Sequence, residues 1–305
     1  MNLYLIDGNS YFYRAYHAIK SLTNSKGLPT NAIYGFTTMM MKVLKEKKPD
    51  AVAIAFDTKA PTERHRIYEE YKAHRPDTPD DLITQIPYMK SIVEALNIAA
   101  FELPGFEADD IIGTIAKKAS SHGMHVFIMS GDKDMMQLVS DRVKIYDPMK
   151  DVVIDNTAVL TRFGLPPERI PEVMALTGDT ADNIPGVKGV GEKTAKELLQ
   201  NHSLDELLAD TSKIKNERIR KMISENIETA KLSRTLATID ISVPVDFDVF
   251  SLKIKTPDWE KLHTMFVELD FKSLLKIIPH TGSQTRGEYF LISDKEELLA
   301  FLGKP

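Results

Sequence analysis

The sequence predicts an α/β fold built on a mostly parallel sheet with helices on its faces. Two observations support this prediction: short apolar runs recur along the first half of the chain, and helical patterns lie between them. The runs are continuously apolar rather than alternating, which is typical of strands covered on both faces. Alternation of strands and helices favours parallel pairing with right-handed crossovers. The predicted strands occupy residues 3–7, 51–57, 98–101, a run that begins at residue 126, and 143–147, and the predicted helices occupy 32–47, 82–96 and 109–121.

The composition limits the class of protein. The chain has 305 residues, of which 43% are hydrophobic and 27% charged, an ordinary balance for one large globular domain or two. The absence of cysteine excludes disulfides, thiolate zinc sites and cysteine nucleophiles. No apolar run reaches the ~18 residues that span a bilayer, and the first residues lack the pattern of a secretion signal. We therefore expect a cytoplasmic protein with no membrane partner.

Charge is unevenly distributed along the chain. The formal net charge of −5 by itself argues against a nucleic-acid partner. However, residues 42–75 hold nine Lys or Arg against six Asp or Glu, and residues 213–221 hold five bases against one acid. Residues 102–182 hold fourteen acids against eight bases. Solvated surface charge explains any one of these runs, but together they suggest a polyanionic ligand with cations between it and the acidic segment.

Acidic residues follow four of the predicted strands. A single Asp after a strand is usually a helix cap or a turn residue, but four strands that end in this way are an improbable accident. Because the carboxyl ends of parallel strands meet at one edge of a sheet, we expect these side chains to converge. They are Asp7, Asp57, Glu107, Asp109, Asp110, Asp132 and Asp134.

Carboxylates gathered in one crevice need protons or cations. Two unit charges about 4 Å apart repel by about 4 kcal/mol at an effective dielectric constant near 20, so crowded carboxyl groups either rise in pKa or bind cations. Oxygen ligands favour Mg²⁺ or Mn²⁺ over zinc, and paired ions can clamp the attacking and leaving oxygens of a phosphodiester. The sequence therefore predicts a site for two or more divalent ions.

A glycine-rich turn lies in the sequence LTGDTADNIPGVKGVGEKTAKELL, which begins at residue 176. Its spacing does not fit a dinucleotide-binding loop. A tight turn followed by a helix, here predicted over 192–200, can bind phosphate through backbone amides without reading sequence. Simple packing of two helices is the alternative, although the nearby lysines favour phosphate contact. The candidate DNA-binding residues are Gly186, Val187, Lys188, Gly189, Gly191 and Lys193, with Lys196 beside them.

Residues 58–88 are rich in charged and aromatic side chains and have too little apolar periodicity for a core helix. A mobile surface insertion is the plain interpretation. The set Tyr71, Lys72 and Arg75 favours a functional one, because a ring and two cations can hold a single nucleic-acid strand.

The chain resembles the N-terminal 5′ nuclease domain of bacterial DNA polymerase I, a member of the flap endonuclease family. The matching stretches are IDGNSYFYRAYHA, AIAFD, YKAHRP, PGFEADDIIGTIA, SGDKDMMQLV and LTGDTADNIPGVKGVGEKTA. They cover about the first 200 residues, and LDFKSLL at 269–275 resembles the end of that domain.

The resemblance implies a resolvase-like core over residues 1–175. This core includes a helical arch at about 58–88. A helix-3-turn-helix (helix-hairpin-helix) DNA-binding subdomain is expected over 176–280, and a linker with the truncated start of a further domain over 281–305. The resemblance also adds Asp179 and Asp182 to the seven acidic residues as metal ligands, and it assigns catalytic roles to Arg14, Lys72 and Arg75. A potassium ion on the carbonyl oxygens of the 187–190 turn is also implied.

The expected function is cleavage of DNA at 5′ flaps, nicks and 5′ ends in replication and repair. The expected substrates are flapped, nicked or gapped duplexes and an RNA primer on DNA, cut by a monomer. That monomer either carries polymerase domains in a full-length protein or is an independently encoded exonuclease. One alternative is a non-catalytic module that binds DNA junctions. Another is a phosphohydrolase of the haloacid dehalogenase type, which needs a second Asp where Asn9 stands.

Overall fold

The computed structural model describes residues 1–148 and 150–279, and confirms the α/β fold. A six-stranded sheet has the order β3-β2-β1-β4-β5-β6, in which β1 to β5 are parallel and β6 is antiparallel to β5. The strands are β1 (Asn2–Asp7), β2 (Ala51–Ala55), β3 (Ala99–Phe101), β4 (His125–Met129), β5 (Val143–Asp147) and β6 (Val152–Ile154).

Helices cover both faces of the sheet and form the second half of the chain. In the first half they are α1 (Gly8–Ala18), α2 (Asn31–Lys47), α3 (Glu63–Ile67), α4 (Asp80–Ile83), α5 (Ile86–Ala95) and α6 (Ala108–Ser121). In the second half they are α7 (Asn156–Phe163), α8 (Ile170–Thr177), α9 (Glu192–Asn201), α10 (Leu204–Ala209), α11 (Glu217–Ser224), α12 (Ile227–Ala237), α13 (Trp259–Glu268) and α14 (Lys272–Leu275).

The strand register brings the carboxyl ends of the central strands level with one another. Asp7, the last residue of β1, pairs with Ala55 at the end of β2, and Ile6 pairs with Met129 at the end of β4. The chain runs from β1 to β2 and β3 on one side, and then crosses back to β4 on the other side of β1. A crevice opens at such a point in a parallel sheet, so the register alone places the residues after β1, β2 and β4 together.

Two apolar clusters hold the helices against the sheet. One face carries α6 and continues into α8, α9 and α12, which also pack on one another. The other face carries α1, α2 and α5, and the buried Leu262 and Phe266 of α13 join this cluster. The chain therefore returns to the sheet at its end, so α13 and α14 pack with the first half rather than with the glycine-rich turn.

The prediction of one continuous helix over 82–96 is wrong, because the structure has two separate helices there, α4 and α5. Pro87 lies in the first turn of α5, where a missing backbone N–H costs nothing. The short strand β6 and the helix α1 were not predicted. The strand β6 has only three residues, too few for its apolar run to stand out in the sequence.

Candidate active site

A crevice of about 940 Å³ lies at the carboxyl edge of the central strands. The residues that line it include five of the predicted carboxylates and all three predicted basic residues: Asp7, Asp57, Glu107, Asp109, Asp132, Arg14, Lys72 and Arg75. The five carboxylates follow four different strands, and the parallel sheet brings them together as the sequence predicts.

Helix N-termini and backbone amides fix the first two carboxylates. Asp7 is the N-cap of α1, and its Oδ1 accepts a hydrogen bond from the Ser10 amide at 2.9 Å. The Oδ1 of Asp57 accepts from the Ala108 amide at 2.8 Å, at the start of α6. The Asp57 amide in turn donates to the Asn9 side-chain carbonyl at 3.1 Å. Helix starts attract anions, so both carboxylates lie where the backbone stabilises negative charge.

Glu107 is the N-cap of α6 and faces the arch segment. Its Oε2 accepts from the Lys72 ammonium at 2.9 Å and from the Tyr71 hydroxyl at 3.2 Å. Lys72 has a left-handed backbone with φ of 58°, and its amide donates to the Asp182 carbonyl at 3.0 Å. This turn of the arch therefore aims the lysine at the crevice.

Crowding and burial disfavour the charged forms of the carboxylates that line the crevice. Burial, opposed by the Ser10 amide and assisted by the charges of Asp57 and Asp132, raises the pKa of Asp7 to about 7. Burial and then the charges of Asp7 and Asp132 raise the pKa of Asp109 well above its usual value. Burial also raises the pKa of Asp57. Burial and crowding therefore favour either a proton or a bound cation on each of these groups.

A second group of carboxylates couples electrostatically to Asp132 and contains Asp134, Asp179 and Asp182. Burial and then the charges of Asp132 and Asp179 raise the pKa of Asp134 to about 8. Its Oδ1 is buried without a hydrogen-bond partner among the described residues. Burial alone would raise the pKa of Asp179, but the Lys133 ammonium at 2.7 Å and the Ala181 amide hold it below its usual value.

The donor set fits hard divalent ions in its chemistry. Carboxylate oxygens with raised pKa, and the unpartnered Oδ1 of Asp134, are ligands that Mg²⁺ or Mn²⁺ can stabilise. Within residues 1–148 and 150–279, no three acidic or histidine side chains are already arranged to hold one ion. In this arrangement Glu107 is paired with Lys72 and Asp179 with Lys133.

Asp110 is not placed as a metal ligand, contrary to the expectation from the sequence. Its two oxygens accept the Arg64 guanidinium at 2.7 Å each, and they also accept from the backbone amides of Asp240 and Glu107. With its acceptor positions filled by these four donors, the side chain takes no part in the crevice.

Tyr71 does not offer a ring for stacking on a nucleobase, which corrects a second expectation. Its side chain is buried, with 3% exposed, and its hydroxyl donates to Glu107 and Asp182. Lys72 and Arg75 do lie beside the carboxylates, since both pair with Asp182. Tyr71 therefore supports the arch from within.

The residues of the glycine-rich turn that are predicted to contact DNA are partly buried and partly exposed. Gly186 and Val187 are buried, and their amides donate to the Ser233 hydroxyl and the Leu176 carbonyl, so neither amide is available to a phosphate. In contrast, the turn exposes Lys188, Gly189, Gly191 and Lys193. Lys196 pairs with Glu192 and donates to the Arg162 carbonyl.

Three residues near the crevice escaped the sequence analysis. Asn9 orients the backbone at Asp57, Lys133 neutralises Asp179, and Arg64 holds Asp110. Lys133 stands between two predicted ligands in SGDKD, which was an available signal. Nothing in the local sequence distinguishes Arg64 from the neighbouring Arg66.

Comparisons with known proteins agree with this fold. A model described as 5′-3′ exonuclease, N-terminal resolvase-like domain, matches residues 2–164, and one described as 5′-3′ exonuclease, C-terminal SAM fold, matches residues 165–260. A 5′-3′ exonuclease of Aquifex aeolicus is 42% identical over 90% of this chain and 94% of its own length. The thermostable DNA polymerase I of Thermus filiformis is 41% identical over 98% of this chain, which spans only 37% of that relative.

Solved structures share the fold at low sequence identity. The bacteriophage T5 5′-exonuclease with bound zinc superposes with a TM-score of 0.67 at 18% identity, over 91% of this chain and 99% of its own. The catalytic core of Rad2 in complex with a DNA substrate superposes with a TM-score of 0.61 at 14% identity, over 91% of each chain.

A resolvase-like sheet whose carboxylate crevice is also lined by Arg14, Lys72 and Arg75 fits a nuclease. The chain belongs to the 5′-3′ exonuclease family, as the two family models and the relatives at about 40% identity show. In the part of the chain that the structure describes, no helix is both long and apolar enough to cross a membrane.

Proposed function

We propose that the chain hydrolyses phosphodiester bonds of DNA at 5′ flaps, nicks and 5′ ends, giving a 5′-phosphate and a 3′-hydroxyl. The observation that carries this proposal is the gathering of carboxylates from distant segments into one crevice lined by Arg14, Lys72 and Arg75. A non-catalytic junction-binding module has no need for buried acids that repel DNA.

Divalent ions would be held by two overlapping groups of carboxylates that share Asp132. The first group is Asp7, Asp57, Glu107 and Asp109, and the second is Asp134, Asp179 and Asp182. When bound, a pair of Mg²⁺ or Mn²⁺ ions supplies charge neutralisation at the phosphate and lowers the pKa of water. Asp110 is left out of both groups because Arg64 occupies its oxygens.

The basic residues of the crevice would act on the phosphate directly. Lys72 lines the crevice 2.9 Å from Glu107, so a phosphate bound beside that carboxylate would meet its ammonium group. The Arg14 guanidinium lies against the Gly131 backbone and 3.7 Å from Asp147, on the side of the crevice after β4 and β5. Cations at these two positions stabilise the negative charge that develops on the phosphate during cleavage.

Duplex DNA would dock on the exposed part of the glycine-rich turn and on α11. Gly189 of the turn lies against Met222 of α11, so the two elements form one surface. Lys188 and Lys193 are exposed on the turn. Arg218 and Lys221 are exposed on α11, and the exposed Lys215 lies just before it. Contacts of this kind recognise the phosphate backbone and the shape of a junction rather than bases. A potassium ion on the 187–190 turn stays a prediction.

The biological setting is likewise proposed. The chain spans about a third of the DNA polymerase I relatives, so primer removal in replication, DNA repair and an attachment to polymerase domains are inferred from them. We expect the nuclease to act as a monomer, with subdomain boundaries near residue 175. The proposed linker at 281–305 lies outside the described residues.

An Asp132→Asn variant tests the assignment. We expect it to lose Mg²⁺-dependent cleavage of a 5′-flap substrate and to bind the same DNA in Ca²⁺ with nearly wild-type affinity. Asp246→Asn, which alters an exposed aspartate, is the control and should cleave normally. Cleavage by Asp132→Asn at the wild-type rate would reject the metal site, and DNA binding by the wild type without hydrolysis in Mg²⁺ or Mn²⁺ would favour a binding module.

A further inference from the structure

Arg64 lies in α3 at the start of the arch segment and is almost fully enclosed. Its Nη1 and Nη2 each donate to one oxygen of Asp110 at 2.7 Å. Its Nε donates to the Leu236 carbonyl at 2.9 Å, and Nη2 also donates to the Thr238 carbonyl at 2.8 Å. Only 11% of the Arg64 side chain and 3% of the Asp110 side chain are exposed. A bidentate ion pair of this kind fixes the orientation of the two side chains as well as the distance between them.

The pair reaches the crevice through Glu107. One Asp110 oxygen accepts from the Glu107 amide at 3.2 Å, so the two residues close the capping box at the start of α6. The Arg64 Nη1 also lies 3.5 Å from the Glu107 carboxylate. The backbone and the side chain of this proposed metal ligand are therefore both held by the Arg64–Asp110 pair.

The same pair reaches the glycine-rich turn through the end of α12. The Asp110 Oδ1 accepts from the Asp240 amide at 2.9 Å, so residues 236–240 are attached to the pair at three points. Farther back in α12, the Ser233 hydroxyl accepts from the Gly186 amide at 2.9 Å. A continuous chain of hydrogen bonds and one helix thus joins the proposed duplex-binding turn to Glu107.

We propose that Arg64 and Asp110 are positioning residues that hold Glu107 in register with the arch and with the segment that follows α12. The inference rests on the proposed function and adds to it a reason why a buried ion pair lies behind the crevice. Both charges are matched and every Asp110 oxygen is used, so the pair orients a metal ligand without becoming one. Residues of this kind tune metal affinity through the ligand they hold.

The test compares Arg64→Lys, which keeps the charge but loses the planar fork, with Arg66→Lys on the same helix. The Arg66 side chain is 72% exposed and pairs only with Glu63 among the described residues. We expect Arg64→Lys to weaken Mn²⁺ binding about 10-fold or more without changing the number of ions bound, as measured by calorimetry. Its single-turnover cleavage of a 5′-flap substrate should fall at least 10-fold, with DNA affinity in Ca²⁺ within twofold. Arg66→Lys should match the wild type in all three measurements.

Asp110→Asn and the double variant complete a cycle. If the two residues act as one unit, Arg64→Lys with Asp110→Asn should bind Mn²⁺ no more than about threefold more weakly than the worse single variant. Should Arg64→Lys fail to fold, Arg64→Met with Asp110→Leu, which leaves no unpaired buried charge, is measured in its place.

Two results would overturn the proposal. Unchanged Mn²⁺ affinity and unchanged cleavage in a folded Arg64→Lys variant would reduce the pair to a structural contact. Loss of one bound ion in Asp110→Asn, with full stoichiometry in Arg64→Lys, would make Asp110 a ligand after all. Mn²⁺ affinity is read without cleavage, so failure of the wild type to cut DNA would refute the proposed function and leave the positioning role separately measurable.

Discussion

Asp7 offers the most direct test of the crowded carboxylates. Burial, together with the charges of Asp57 and Asp132, raises its pKa from 3.8 to about 7 despite the Ser10 amide. Between these two values the folded protein holds a proton that the unfolded chain has released. The free energy of unfolding of the metal-free protein should therefore fall as pH rises through this window, by about 1.4 kcal/mol per pH unit from this group. Above about pH 7 the contribution is constant.

The perturbation is Asp7→Asn, which removes the titrating group and keeps the helix cap. An asparagine carbonyl can still accept from the Ser10 amide, now 2.9 Å from the Asp7 Oδ1. In EDTA, we expect the free energy of unfolding of the variant relative to the wild type to grow by about 2 kcal/mol between pH 5 and 7, and then to change little up to pH 9. Urea unfolding at each pH measures this difference.

Asp155→Asn is the matched control, because Asp155 also caps a helix through its side chain, at 3.0 Å from the Ala158 amide. Its stability relative to the wild type should not show the same change between pH 5 and 7. Saturating Mn²⁺ should stabilise the wild type more than Asp7→Asn, since only the wild type keeps the proposed carboxylate ligand. Parallel pH profiles for Asp7→Asn and the wild type in EDTA would refute the account of a buried, crowded carboxyl.

Three further predictions concern the basic residues. Gly131→Ala would place a Cβ on the Arg14 guanidinium and displace that group. Single-turnover cleavage should therefore slow about 10-fold while thermal stability is unchanged. Equal cleavage rates for the variant and the wild type would show that Arg14 does not meet the phosphate. Lys72→Ala should slow single-turnover cleavage by about 100-fold with DNA affinity in Ca²⁺ preserved, and a normal rate would end its catalytic role. Replacing Lys188 and Lys193 by Ala should weaken duplex binding and lower its salt dependence by about one unit of log–log slope per lysine, as fluorescence anisotropy would show; an unchanged slope would place the duplex elsewhere.

The sequence predicts the site where backbone topology decides it. Asp7, Asp57, Glu107 and Asp132 are separated by up to 125 positions, yet each lies at or after the end of a parallel strand of one sheet. The apolar runs identify the strands, and parallel pairing forces their ends to one edge. The position of the crevice depends on strand order rather than on side-chain contacts, so it could be predicted without knowing any contact.

The sequence fails where the direction of a side chain decides the outcome. Asp109 and Asp110 are neighbours in the chain, but successive residues on a helix are turned by about 100°. Asp109 therefore lines the crevice, whereas Asp110 turns to Arg64. Tyr71 fails for a related reason, because its apolar body is buried in the core cluster and only its hydroxyl reaches the acids.

The net charge of the chain does not show which carboxylates are neutralised by neighbouring side chains and which are not. Glu107 and Asp179 each have a lysine within 3 Å, so the protein neutralises them without help. Among the described residues, Asp7, Asp57 and Asp109 have no lysine or arginine at ion-pair distance, and these are the three crevice carboxyl groups whose pKa burial raises. Protons can neutralise these three groups only below the raised pKa values. At higher pH the same groups need a cation from solution, so divalent-ion affinity should increase as pH rises through about 7.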